Sequence, residues 1–255
     1  MIHILKLKIL ASLKNGPKEL LKGILYFAYC KIATIINAMN FKSHKIFCST
    51  LYNYGEKINP FVLDDFDYIR NVSLELVAHD IKCKNITGSV AELGVYRGGF
   101  ARYINMLFPN RKLYLFDTFE GFDSKDVQTE IEKAFSKADE WGGGGVLTAT
   151  SIELVMSQMK YPQNVVIKKG YFPDTAKDLN ENFVFVSLDV DLFAPTMSGL
   201  CFFYPILQKG GCIFIHDYNN KGCSGVKEAV RKFCAEYDVP YFQLADWCGS
   251  VIIMK

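Results

Sequence analysis

At 255 residues and 28.9 kDa, the chain has room for one large α/β domain, or a smaller domain with an appendage, and not for a multi-domain assembly. Half of the residues are hydrophobic and 22% are charged, which supports a sizeable core and argues against global disorder or a fibrous repeat. The formal net charge of +2 conceals an asymmetry: residues 1–57 carry nine Lys against only Glu19 and Glu56, a surplus of +7 that leaves the rest of the chain at −5. That split argues against a uniformly basic nucleic-acid binder and leaves only the N-terminal part suited to touch an anionic surface.

The stretch from Leu20 to Phe41 is apolar, but Lys22 and Lys31 interrupt it, so a clean membrane span of about 20 apolar residues is missing. Lys6, Lys8, Lys14 and Lys18 likewise break the apolar run that a signal peptide needs. Residues 1–60 are therefore expected to form a basic, apolar helical extension and residues 61–255 the main domain. The extension can pack on that domain, pair with a second copy in a homodimer, or lie on the inner face of the membrane of a cytoplasmic protein.

From residue 86 onward, short apolar runs alternate with helical patterns. This predicts an α/β, Rossmann-like domain: a doubly wound, mostly parallel sheet with helices on both faces. Strands are expected at Val90–Leu93, Leu113–Phe116, Val165–Lys168, Val184–Leu188, Ile213–Ile215 and Val251–Met254. Helices are expected near Phe100–Phe108, Ser151–Lys160, Thr196–Leu207 and Val226–Glu236, with Thr150 and Glu153 as a capping box and Pro205 kinking or shortening the third. The long connector Gly121–Ala149 contains Gly142–Gly145 and reads as a lid. The eight Cys include no CxxC pair, so they read as buried reduced thiols rather than a zinc or redox motif.

In an open α/β sheet, ligands sit outside the carboxyl ends of the strands. The first such end, Glu92-Leu93-Gly94-Val95-Tyr96-Arg97-Gly98, turns through glycines into a helix. Gly94 and Gly98 let a ligand approach the backbone. Glu92 would repel a dinucleotide pyrophosphate but not the cationic amino-acid end of S-adenosylmethionine. Arg97 can pair with Glu92 or with the methionine carboxylate, and Arg70 can close over the cofactor. At the second end, Asp117, followed by Thr118, lies 23 residues after Gly94, near the offset at which an acid accepts ribose hydroxyls. The third, Gly170-Tyr171-Phe172-Pro173-Asp174-Thr175, can border an adenine, with Asp174 as its candidate cofactor residue, or form a plain proline turn. The last two, Asp189-Val190-Asp191 and His216-Asp217, gather three carboxylates and an imidazole at one sheet edge. Like charges at close range call for a divalent cation or for perturbed protonation, and His216 suits either ligation or a hydrogen bond at the rim.

The ordered set VAELGVYRGG, LFDTFEGF, GYFPDTA, VSLDVDLFAPT, LQKGGCIFIHDY and GVKEAVRKF resembles the macrocin O-methyltransferase (TylF/MycF-type) family over roughly Asp65 to Lys255. The resemblance implies a class I, S-adenosylmethionine-dependent enzyme, typically using Mg²⁺, that methylates a hydroxyl of a sugar or aromatic glycoside. It implies Asp189 and Asp217 as metal ligands, with His216 where the family often has another Asp, and Asp191 as general base. The expected partner is a small-molecule or glycan acceptor, not nucleic acid. Two other readings of the same fold remain: an NAD-linked oxidoreductase, for which a third glycine in the first turn is missing, and a passive nucleoside-binding protein, which would not need the strand-end acids.

Overall fold

A computed structural model describes residues 68–135, 147–246 and 248–255, with five isolated positions between residues 21 and 32. The expectations for the rest of the N-terminal extension and for Gly142–Gly145 lie outside these residues. The chain divides into two compact units, Met1–Tyr68 and Ile69–Lys255. In chain order the described elements are α1 (Tyr68–Cys83), β1 (Ser89–Leu93), α2 (Ala101–Leu107), β2 (Leu113–Asp117), α3 (Ser124–Glu132), α4 (Ile152–Ser157), β3 (Val165–Lys169), β4 (Phe183–Leu188), α5 (Phe193–Ile206), β5 (Leu207–Ile215), α6 (Ser224–Tyr237), β6 (Tyr241–Gln243) and β7 (Val251–Met254).

These strands form one seven-stranded sheet in the order β3-β2-β1-β4-β5-β7-β6, parallel from β3 through β5, with β7 antiparallel to both its neighbours. Every residue of β1 and β4 is buried, as expected for central strands covered on both faces. Alternation sends Leu93, Phe116, Leu188 and Ile215 to one face, against Leu200 and Phe203 of α5 and Val230 and Phe233 of α6. Val90, Leu115 and Phe214 go to the other, against Leu74 and Ile81 of α1, Ile104 of α2 and Val155 of α4. Each such side chain taken wholly out of water contributes about 1.5–3 kcal/mol, so the two apolar layers fix the sheet between the helices.

Three elements differ from expectation, each for a local reason. β5 begins at Leu207 rather than Ile213, because the chain enters the sheet directly after α5. At Gly211 a Cβ would lie 2.6 Å from the Val184 carbonyl oxygen, so glycine permits close strand approach there. Pro205 sits in the last turn of α5, where the carbonyls of Tyr204 and Pro205 accept hydrogen bonds from Lys255 Nζ at 3.0 and 2.7 Å. The N-cap of α4 is Ser151, which accepts from the Leu154 N–H at 3.1 Å; Thr150 instead donates its hydroxyl to the Tyr96 carbonyl.

Two positions in and just past β1 shape the carboxyl edge. Gly94 adopts φ +84°, and a Cβ there would lie 1.9 Å from the carbonyl oxygen of Asp189, so the tips of β1 and β4 can approach only around a residue with no side chain. Glu92 is 1% exposed, and its Oε2 has no hydrogen-bond partner among the described residues. Burial raises its carboxyl well above the ordinary glutamate range; Arg70 opposes the shift, and Asp189 and Asp117 reinforce it.

Gly94→Ala is expected to cost at least about 2 kcal/mol in urea unfolding, through backbone displacement and the left-handed φ together. Because the folded state retains the Glu92 proton at a pH where the unfolded chain releases it, this group's contribution is greatest below the ordinary glutamate pKa and declines as pH rises above about 4.3. Glu92→Gln, which mimics the protonated acid, is expected to flatten that decline in melting temperatures recorded from acid to neutral pH; an unchanged slope would assign the decline to other groups.

Candidate active site

The strand order reverses direction between β1 and β4, and a ligand crevice is expected at that switch point. The backbone ladder continues one step beyond the strands: Gly94 N–H donates to Phe116 O, Asp189 N–H to Leu93 O and His216 N–H to Leu188 O, each at 2.9 Å. These bonds hold four strand tips in register beside an open cleft. Gly94, Asp117, Thr118, Tyr171, Asp189 and Asp191 are among its walls.

Asp117 ties the near side together. Its Oδ2 accepts the N–H groups of Val95 and Tyr96 at 2.7 and 2.8 Å, and its Oδ1 accepts that of Phe119 at 2.7 Å. A carboxylate offers about four acceptor positions, so one, on Oδ1, is left for a donor in the cleft. Phe122, Tyr171 and Phe172 add aromatic surface. This side of the pocket fits a nucleoside, with a hydroxyl acceptor beside aromatic walls.

The far side holds the acids. Asp189 receives Arg70 Nη1 on Oδ2 at 2.8 Å and lies 3.1 Å from His216 Nδ1 through Oδ1. The same nitrogen is 2.7 Å from Asp217 Oδ2, while Asp217 Oδ1 accepts from Asn220 Nδ2 at 2.7 Å. Burial works against the charge on His216, but Asp189 and Asp217 overcome it and push the imidazole up to about 12. Against the same burial penalty, His216 and Arg70 hold Asp189 well below the usual carboxylate range. Asp191 differs: burial, then the charges of Asp189 and Asp217, raise its carboxyl well above the ordinary aspartate value, and the Cys223 thiol lies 3.7 Å from its Oδ1. It lines the cleft from a left-handed turn at φ +60°. A carboxyl with raised proton affinity that faces a pocket is placed to exchange a proton there.

The expected metal triad takes a different form. Asp189, His216 and Asp217 do meet, but as two carboxylates facing one imidazole nitrogen, and all four of their oxygens already face a nitrogen donor. Among the described residues, the trios whose ligand atoms converge are His216–Asp217–Cys248 and Asp191–Asp217–Cys223; Asp189 belongs to neither, and each contains a thiol. Mg²⁺ requires oxygen ligands in a near-octahedral shell, so this donor set does not suit it.

Of the expected cofactor residues, Gly94, Asp117 and Thr118 line the cleft, whereas Glu92, Arg97, Gly98 and Asp174 do not. Glu92 is buried within β1, Arg97 is exposed, and Asp174 forms a surface pair with Lys177 at 2.7 Å. Gly98 serves packing: at φ +78°, a Cβ would meet Val155 at 3.2 Å. Arg70 does not close over the cofactor side; it is 3% exposed, donates to Asp189 and Ser187, and stacks 3.8 Å over the Phe100 ring. Within the Gly170–Thr175 turn expected to border an adenine, Tyr171 rather than Asp174 lines the cleft, and its hydroxyl donates to Asp126 Oδ1 at 2.9 Å. The first part of the expected lid is anchored: Glu130 of α3 accepts the Phe193 N–H at the start of α5, and the Phe135 and Phe193 rings are 5.2 Å apart.

The model of the macrocin-O-methyltransferase (TylF) family matches residues 67–250. A demethyldecarbamoylnovobiocin O-methyltransferase of Streptomyces niveus is 25% identical over 169 residues, which is 63% of this chain and 63% of that relative's length. Among solved structures, the O-methyltransferase NovP superposes with a TM-score of 0.59 at 20% identity, covering 73% of this chain and 79% of that one. The calicheamicin methyltransferase CalS11 superposes with a TM-score of 0.54 at 17% identity, covering 88% and 91%. Both share the Rossmann-like methyltransferase fold with this chain. With its family match spanning most of the sheet and the strand-end cleft, the chain belongs to the macrocin-O-methyltransferase (TylF) family.

Proposed function

We propose that the protein transfers the methyl group of S-adenosylmethionine to a hydroxyl of a sugar or glycoside, with Asp191 as general base. The observation that carries this reading is the placement of Asp191, raised in basicity by burial and by its neighbouring acids, in the same cleft as Gly94 and Asp117. Family membership and the O-methyltransferase name of the relative support transfer to a hydroxyl, and the resemblance set out above implies a sugar or glycoside as its acceptor.

When bound, S-adenosylmethionine supplies an electrophilic methyl on a sulfonium, and the chain supplies position and a proton acceptor. Asp117 offers its remaining acceptor position to a ribose hydroxyl, and Phe122 and Tyr171 give the adenine an aromatic bed. Asp191 takes the proton of the acceptor hydroxyl as the new O–CH₃ bond forms and the S–CH₃ bond breaks, leaving a neutral thioether and a protonated carboxyl. A sugar hydroxyl is scarcely ionised at neutral pH, so a positioned base is worth about 10²–10⁴-fold. Holding both reactants in attack geometry can remove a further ~7–11 kcal/mol from the barrier.

Asp191→Asn is expected to lower turnover by about 10²–10⁴-fold while leaving S-adenosylmethionine affinity unchanged. Product formation on a panel of nucleotide sugars and antibiotic glycosides, read as the gain of one CH₂ by mass spectrometry, and titration calorimetry with the cofactor check the two halves. Normal turnover by the variant, or loss of cofactor binding, would remove Asp191 from this role.

A further inference from the structure

The carboxylates of Asp189 and Asp217 both face a single nitrogen, His216 Nδ1, at 3.1 and 2.7 Å. Behind Asp189 stands Arg70, whose side chain is 4% exposed and 2.8 Å from the carboxylate, and which also bonds Ser187 on β4 at 2.8 Å. Asn220 closes the remaining oxygen of Asp217. Each of the four carboxylate oxygens thus faces a nitrogen of the chain. A divalent ion would have to displace those nitrogens, Arg70 and His216 among them, to reach the oxygens.

We propose that His216, seated between Asp189 and Asp217 with Arg70 behind it, occupies with its Nδ1 the carboxylate oxygens that a divalent ion would otherwise hold, so that this methyltransferase site operates without a metal. The inference rests on the methyltransferase reading above and concerns how that same site is held. His216 acts as a positioning residue. By joining Asp189 and Asp217 through one nitrogen, it keeps the tips of β4 and β5 together and leaves Asp191 turned to the cleft as the proton acceptor. The donor chemistry agrees. An N–H donor satisfies a carboxylate oxygen at the observed 2.7–3.1 Å in one direction. Mg²⁺ instead demands a near-octahedral shell of oxygens at about 2.1 Å.

The test uses the full-length protein, stripped with EDTA and dialysed. Mn²⁺ is titrated while the free-ion signal is followed by electron paramagnetic resonance, and melting temperature is recorded with Mg²⁺, Mn²⁺ and Zn²⁺. The wild-type protein is expected to leave the Mn²⁺ signal undiminished and its melting temperature unmoved by Mg²⁺ or Mn²⁺. His216→Asp removes the bridging nitrogen and adds a third carboxylate. It is expected to deplete the free Mn²⁺ signal and to melt higher with Mg²⁺ than without, a gain that a merely structural histidine would not produce. Mn²⁺ or Mg²⁺ uptake by the wild type overturns the proposal, as does Zn²⁺ stabilisation that Cys248→Ser abolishes, and so does a folded His216→Asp protein that ignores both Mn²⁺ and Mg²⁺. The wild-type arm stands even where the variant does not fold. S-adenosylmethionine binding, measured on the same EDTA-treated sample, separates the two readings: its loss would count against the methyltransferase assignment, while metal uptake with binding intact would count only against the bridging role of His216.

Discussion

The carboxyl edge of this sheet depends on how the charges of Asp189 and Asp217 are met. Two carboxylates that face the same nitrogen repel one another unless a donor stands between them. His216 Nδ1 stands there, and Arg70 reaches in from α1 to take the other oxygen of Asp189. Arg70 also bonds Ser187, inside β4, and lies over Phe100 at the start of α2. One guanidinium therefore connects the first helix, a central strand and the glycine turn. Removing one partner of a buried ion pair typically costs about 3–5 kcal/mol, because the other charge is left uncompensated.

Backbone strain gathers at the same edge. Tyr96, Phe119, Asp191 and Asp217 adopt φ between +48° and +60°, a left-handed region that aspartate tolerates better than an aromatic residue does. Such positions cost of order 1–3 kcal/mol each and persist only where neighbouring contacts overdetermine them. Asp117 provides that for the two aromatics by accepting the N–H of Tyr96 on one oxygen and that of Phe119 on the other. A residue expected to contact only the cofactor thus also shapes the two turns around it. The other two strained tips are the aspartates that hold the imidazole and the proton-accepting position, where the chain must turn sharply out of a strand.

The segment after β2 adds a strap. α3 is capped by Asp123, and its Asp126 accepts the Tyr171 hydroxyl, joining the strap to the turn after β3. Its Glu130 lies at the N-terminal ends of two helices: it accepts the Phe193 N–H of α5 and packs on Gly225 of α6, where a Cβ would stand 2.2 Å from Oε1. A carboxylate suits the partial positive charge of a helix N-terminus, although burial raises the Glu130 carboxyl above its ordinary value. The strap is thereby tied to α5 and α6, and this is what places Asp126 and Tyr171 side by side in the wall of the cleft.

Apolar runs alternating with helical patterns marked the parallel strands in the sequence, and acids at their ends marked the ligand edge, because strand burial and strand termination are written in short-range periodicity and in glycine. The edge strand β6 was not legible: three residues carry no period, and they form a strand only because β7 lies beside them. Motif spacing by itself determined the α/β class and brought Asp117, Asp189, Asp191, His216 and Asp217 to one edge. Which of those charges hold one another was decided only by the tertiary structure. Arg70 lies 119 residues from Asp189 and carries no motif, and Glu92 has the look of a cofactor ligand until the strands on either side of β1 bury it. Pairing between distant charges depends on where whole elements pack, and no local pattern encodes that.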